Sequence, residues 1–118
     1  MTSQGHPYAI FRRALQSRNA PAAWAAASEL PHLGLEDALA LCVLTAQCQP
    51  ARFERAAARW IARYLEEEPR LELDELRLTT ELLTSLEGPH AAAAARALRE
   101  LFARRGRADP AKALELLG

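Results

Sequence analysis

The 118-residue chain contains one lysine, one valine and two isoleucines. So few β-branched residues leave little from which to build a pleated sheet. Alanine and leucine supply most of the apolar half of the composition, and both favour helix. No apolar run approaches the ~18 residues of a membrane span. The opening MTSQGHPY also lacks the basic start and apolar core of a secretory signal. A cytoplasmic protein with no membrane partner is therefore expected. Formal net charge is zero with 25% charged residues. That balance fits one folded domain and neither a disordered tail nor a basic nucleic-acid arm.

Chemistry-bearing residues are scarce as well. Cys42 and Cys48 lack the short paired spacing of a zinc or redox motif, and Cys42 reads as a buried free thiol. Six helical residues rise about 9 Å and turn through about 600°. A disulfide wants Cα atoms within about 7 Å, so the two are not expected to bond. His6, His32 and His90 fall in three separate loops or termini, none with a second ligand at helical spacing. Ser3, Ser17, Ser28 and Ser85 have no base beside them. There is no Gly-rich phosphate loop, G-x-S-x-G or H-E-x-x-H. Glu66, Glu67 and Glu68 sit at a polar helix end, where a solvated acidic run is the simplest account, not a catalytic acid pair. No enzyme, no cofactor and no metal site is expected.

What is there is helical. The stretch PARFERAAARWIARYLEEE, Pro50 to Glu68, opens on a proline at the first helical position. Phe53, Ala57, Trp60 and Tyr64 then form one apolar stripe. Arg52, Arg55, Arg59 and Arg63 form a second, roughly 125° round the axis. Guanidinium groups in such a row can grip planar anions, and a solvated face partly neutralised by Glu66 or Glu67 explains the same spacing. The near-absence of lysine follows from a GC-rich coding sequence as readily as from anion recognition.

Around this helix the chain reads as an all-α fold of about seven short helices. After a disordered segment 1–6, a single all-helical domain is expected over 7–118. Helix one, Pro7 to Arg18, turns Ile10, Phe11, Ala14 and Leu15 inward. Asn19 ends it or caps helix two, Ala20 to Glu29, where Trp24 fills space among alanines. Pro31 stops that helix. Helix three, Leu35 to Gln47, is apolar on every side from Ala38 to Leu44 and is the central helix; Glu36 and Asp37 suit the dipole in its first turn. Helix five, Leu73 to Glu87, points Leu73, Leu76, Thr80 and Leu83 at the core. Helix six, Pro89 to Arg105, buries Ala91, Ala94, Ala95, Leu98, Leu101 and Phe102, leaving Arg96 and Arg99 outside. Asp109 caps a last helix, Pro110 to Leu117. Pro21, Pro50 and Pro89 suggest hairpins of helices two and three, four and five, six and seven. A compact irregular bundle and a short α-solenoid-like stack both fit.

Charge is segregated. Residues 1–65 carry seven arginines against four acids, +3. Residues 66–87 carry eight acids against two arginines, −6. Residues 88–118 carry five arginines and Lys112 against three acids, +3. Such a division can steer a partner or pair internally.

From Leu35 to Gly88 the pattern DALALC, then PARFERAAARW, then an acidic break and a Leu-rich helix, resembles a group of small, uncharacterised all-helical proteins of GC-rich actinobacterial genomes. That resemblance implies an all-α cytoplasmic protein and brings no functional residues with it. The expectation for function is a non-enzymatic helical interaction module that binds another protein. The alternative is a nucleic-acid-associated protein. Arg52, Arg55, Arg59 and Arg63, with Arg96 and Arg99, are the candidate contact residues for either partner. Oligomeric state stays open.

Overall fold

Leu39 to Ala46 are all buried, so the helix that carries them must be covered on every side. The other helices are arranged around it. The computed structural model describes residues 5–104. Within them lie α1 (Gly5–Gln16), α2 (Ala20–Ser28), α3 (Leu35–Cys48), α4 (Pro50–Glu67), α5 (Leu73–Ser85) and α6 (Ala91–Arg104), with no strand among the described residues. The fold is all-α as expected. The seventh helix, Pro110 to Leu117, and the basic group around Arg105 and Arg107 lie outside the described residues. The first helix starts at Gly5, two residues before Pro7 and inside the segment expected to be disordered.

The hairpins are offset by one helix from those the prolines suggested. Helices run alongside one another as α1 with α2, α3 with α4, and α5 with α6, with α2 and α1 also packed on α3. Proline marks a helix start and says nothing about which neighbour it folds against. The tight connections decide that. A short turn at 17–19 and the single residue Gln49 give the chain no length to do anything but double back. At the first turn Arg18 takes a left-handed φ of 57°. The Asn19 and Arg18 amides donate to the Ala14 and Leu15 carbonyls, the pattern that closes helices of this kind. Asn19 then begins the next helix, its side chain accepting from the Ala22 amide at 3.1 Å. It does both jobs that the sequence allowed it. The radius of gyration is 13.6 Å. A compact domain of this length is expected at about 13.5 Å. The hairpins therefore gather into a compact globule.

Helix four faces the core as expected, with Phe53, Ala57, Trp60 and Tyr64 buried together with Ala56. The Trp60 indole N–H donates to the Leu35 carbonyl at 2.9 Å, tying α4 to the start of α3. Its ring stacks on Tyr64 with centroids 5.0 Å apart, and Phe102 of α6 meets it edge-on at 5.8 Å. The α5–α6 hairpin does not run closely alongside α1–α4. Phe102, its ring centroid also 5.5 Å from that of Tyr64, bridges the larger gap. An aromatic side chain is long and broad enough to do so.

Two expected faces are corrected. Ile10 is exposed, whereas Phe11, Ala14 and Leu15 are buried. The cause is a clasp on the opposite side of α1. Asp37 is buried and accepts hydrogen bonds from the Tyr8 hydroxyl and the Arg12 guanidinium, each at 2.9 Å. That pulls the Tyr8–Arg12 side of the helix onto α3 and leaves Ile10 at the outer rim. Burial, then the hydrogen bond to Asp37 and its charge, raise the Tyr8 phenol above its ordinary 10.0, with Arg12 working the other way. A raised phenol pKa means the clasp is intact below the ordinary value and loses its contribution as pH climbs through the folded one.

The second correction is α5. Thr79, Leu83 and Leu86 are buried, while Leu73 and Thr80 are exposed and Leu76 is only half-buried. At 100° per residue the helix is turned roughly 80° from the expected facing. Leu83 is common to both faces, and the α6 neighbour selects the one through Thr79 and Leu86.

Two substitutions check this core. Trp60→Ala is expected to cost about 3–5 kcal/mol, since it removes a large ring, a hydrogen bond and the docking surface of Phe102. A melting temperature within about 2 °C of the parent would show that Trp60 is not a core residue. Thr79 is fully buried and its hydroxyl has no hydrogen-bond partner among the described residues. Thr79→Val exchanges that hydroxyl for a methyl of similar size and is expected to stabilise the protein by about 1 kcal/mol in denaturant titration.

Candidate functional site

Trp24 sits on α2 in the run APAAWAAAS, where short side chains let α2 approach its neighbours closely. The ring is only half-buried. Its indole N–H donates to the Thr45 hydroxyl at 3.1 Å, and that hydroxyl donates onward to the Leu41 carbonyl at 2.6 Å. The Arg52 guanidinium lies over the ring at 4.5 Å from its centroid, a cation–π contact linking α2 to α4. Spacing along either helix alone carries no sign of this pairing.

Beside Trp24 a slot of about 160 Å³ opens to the surface. Leu33, Ala38, Leu41, Cys42, Ala56 and Trp60 give it an apolar lining, and Arg59 and Arg63 stand at its edge. Three of the lining residues are small, and the slot is the space they leave. Small-molecule pockets occupy ~300–1,000 Å³, so this one has room for a single side chain, not for a metabolite. Apolar walls and a cationic edge can anchor one hydrophobic side chain and hold anions next to it.

The four arginines of α4 lie along one side of the helix, but they are not equivalent. Arg55 and Arg59 are exposed. Arg52 is committed to Trp24, and Arg63 donates to Glu67 at 2.9 Å. That last pair is half-open to water and one turn apart, so it is worth about 0.3–0.5 kcal/mol. Arg96 and Arg99 do not join them. They stand on α6, exposed and half-buried respectively, outside the slot lining. The structure therefore assembles the α4 row with Trp24 and leaves the two α6 arginines apart.

Among the described residues no group of three or more His, Cys, Asp or Glu side chains is placed to hold a metal ion. Nor is any helix among them long and apolar enough to cross a membrane. No family model, no curated protein and no solved structure matches the chain.

Both cysteines are free thiols. Cys42 is buried in the slot floor, its thiol 3.5 Å from the Ala56 carbonyl, and burial pushes its pKa up to about 12. Cys48 is exposed. At pH 8 the Cys42 thiolate is scarce as well as shielded. Alkylation of the native protein should therefore label Cys48 alone, with Cys42 reacting only after denaturation. A fast second label, or an intramolecular disulfide found by mass spectrometry, would contradict the packing of α3 on α4.

Proposed function

We propose that the protein is a non-enzymatic helical interaction module that binds another protein across the α2–α3–α4 surface. What supports this is the slot of about 160 Å³ with Arg59 and Arg63 at its edge. Protein interfaces concentrate affinity in a few anchors seated in small apolar pockets, surrounded by polar contacts that exclude water. An apolar anchor enters beside Trp24 and Trp60, and acidic groups next to it meet the arginines. Arg52, fixed over Trp24, keeps one guanidinium in place before a partner arrives. The cytoplasm is the proposed compartment.

A second reading, nucleic-acid association, has one specific observation in its favour, the exposed Arg55 and Arg59 on one stripe. Two facts weigh against it. The row is short, about 16 Å from Arg52 to Arg63 at helical rise. It also runs directly into the acidic residues that end α4 and continue past it, which would repel a phosphate backbone.

A pulldown from native lysate, with and without nuclease, separates the two. Ala38→Leu fills the slot without removing charge. Arg55→Gln with Arg59→Gln removes charge without touching the core, and should leave stability within about 0.5 kcal/mol. The expected result is a nuclease-resistant protein partner whose capture falls about tenfold with Ala38→Leu. Capture that vanishes with nuclease, falls steeply with salt and ignores Ala38→Leu would favour nucleic acid instead.

A further inference from the structure

The slot's complement stands on the same chain. Past Arg63 the charge changes sign, and Glu66, Glu67, Glu68, Glu72, Asp74 and Glu75 crowd the corner between α4 and α5 with only Arg70 among them. Out of this corner projects Leu73, at 69% the most exposed large apolar side chain among the described residues. An exposed leucine flanked along the chain by Glu72, Asp74 and Glu75 fits an apolar pocket of one side chain's volume edged by guanidinium groups. Shape and charge match on both counts.

We propose that the occupant of the slot is the α4–α5 corner of a second copy of this chain, giving a twofold dimer. Leu73 of each copy enters the slot of the other, and Glu66 and Glu72 meet Arg55 and Arg59 of the partner. This rests on the slot surface being a protein-binding surface and names the protein that it binds. Slot and corner share α4. Arg52, Arg55, Arg59 and Glu66 fall within about 60° of arc, and Arg59 and Glu66 are about 10 Å apart along the axis. All four are exposed. Two α4 helices laid antiparallel therefore offer arginines to glutamates in both directions at once. Ala62, exposed at the border of that arc, leaves room for the close approach. Because both contacts form together, the pairing closes as a dimer and does not propagate into an open chain.

The test is sedimentation velocity over a range of concentrations at low and high salt, on the full chain and three variants. The parent should dimerise, less strongly at high salt. Leu73→Ala should weaken the dimer by tenfold or more while melting like the parent, since its side chain makes little contact within one copy. Arg55→Glu with Arg59→Glu should be monomeric, as should Glu66→Lys with Glu72→Lys. Mixed in equal amounts, these two charge-reversed proteins should form a one-to-one heterodimer. In that pair one contact keeps its native signs and the other has both signs exchanged, so both attract. A mixture that stays monomeric overturns the proposal, and so does a Leu73→Ala protein that dimerises like the parent. A parent that is monomeric at all concentrations overturns it too. If that monomer still captures a protein that Ala38→Leu releases, the interaction-module reading stands without self-pairing. If it captures none, both fail.

Discussion

Trp60 must bury a large ring and satisfy an indole N–H, and the Leu35 carbonyl at 2.9 Å meets the second demand only in one orientation of α4. Much else follows from that orientation. It turns Phe53, Ala57 and Tyr64 into the core and sends Arg55 and Arg59 to solvent. It sets the ring beside Tyr64 so that Phe102 meets both rings, and through Phe102 the α5–α6 hairpin is held. It also leaves the edge of the ring beside Ala56, where the slot opens. A ring contact is weak singly, about 0.5–1.5 kcal/mol beyond the area it buries. Here three rings contact one another, so the position of α6 depends on the rotation of α4.

A second long-range polar tie, between α1 and α3, is of a different kind. Asp37 is buried with Tyr8 and Arg12 as partners, and Arg12 remains about a third exposed. Such a pair adds little net stability over an apolar contact, because desolvating the carboxylate opposes the attraction. Its effect is on geometry. Two donors from α1, one turn apart, fix the rotation of that helix against α3 in a way that a smooth face of alanines and leucines would not. The exposure of Ile10 is the consequence.

Small residues shape the surface as much as the interior. Alanines on α2, α3 and α4 let backbones come close, and where Ala38, Ala56 and Cys42 face the half-buried Trp24 they leave a gap that no side chain of the described residues fills. Around that gap the charges are arranged in blocks. Arginine precedes Arg63 and acid follows Glu66, so a neutral chain has a cationic side and an anionic corner on one helix. Screening keeps such blocks from adding much stability within a monomer. They act mainly on whatever approaches, by attraction at one end and repulsion at the other.

Periodicity by itself determined the all-α class, the central place of α3, the inward stripe of α4 and most of α6. These are properties of one helix at a time, set by the 3.6-residue repeat and the contrast between apolar and charged side chains. It also placed the α4 arginines outward, because four guanidinium groups at that spacing cannot be buried without matching acids. Only the tertiary structure decided which helices pair, since proline positions mark starts and the length of the turns selects the partners. Tertiary packing chose Thr79 over Thr80 as the buried threonine of α5, because leucines at 73, 76, 78, 82, 83 and 86 offer more than one apolar face and the neighbour selects among them. The pairing of Asp37 with Tyr8 and Arg12, and of Arg52 with Trp24, joins residues more than twenty positions apart, and no local pattern encodes it. The slot is a void between three helices, and a void has no letter in a sequence, although several residues that line it are legible one by one.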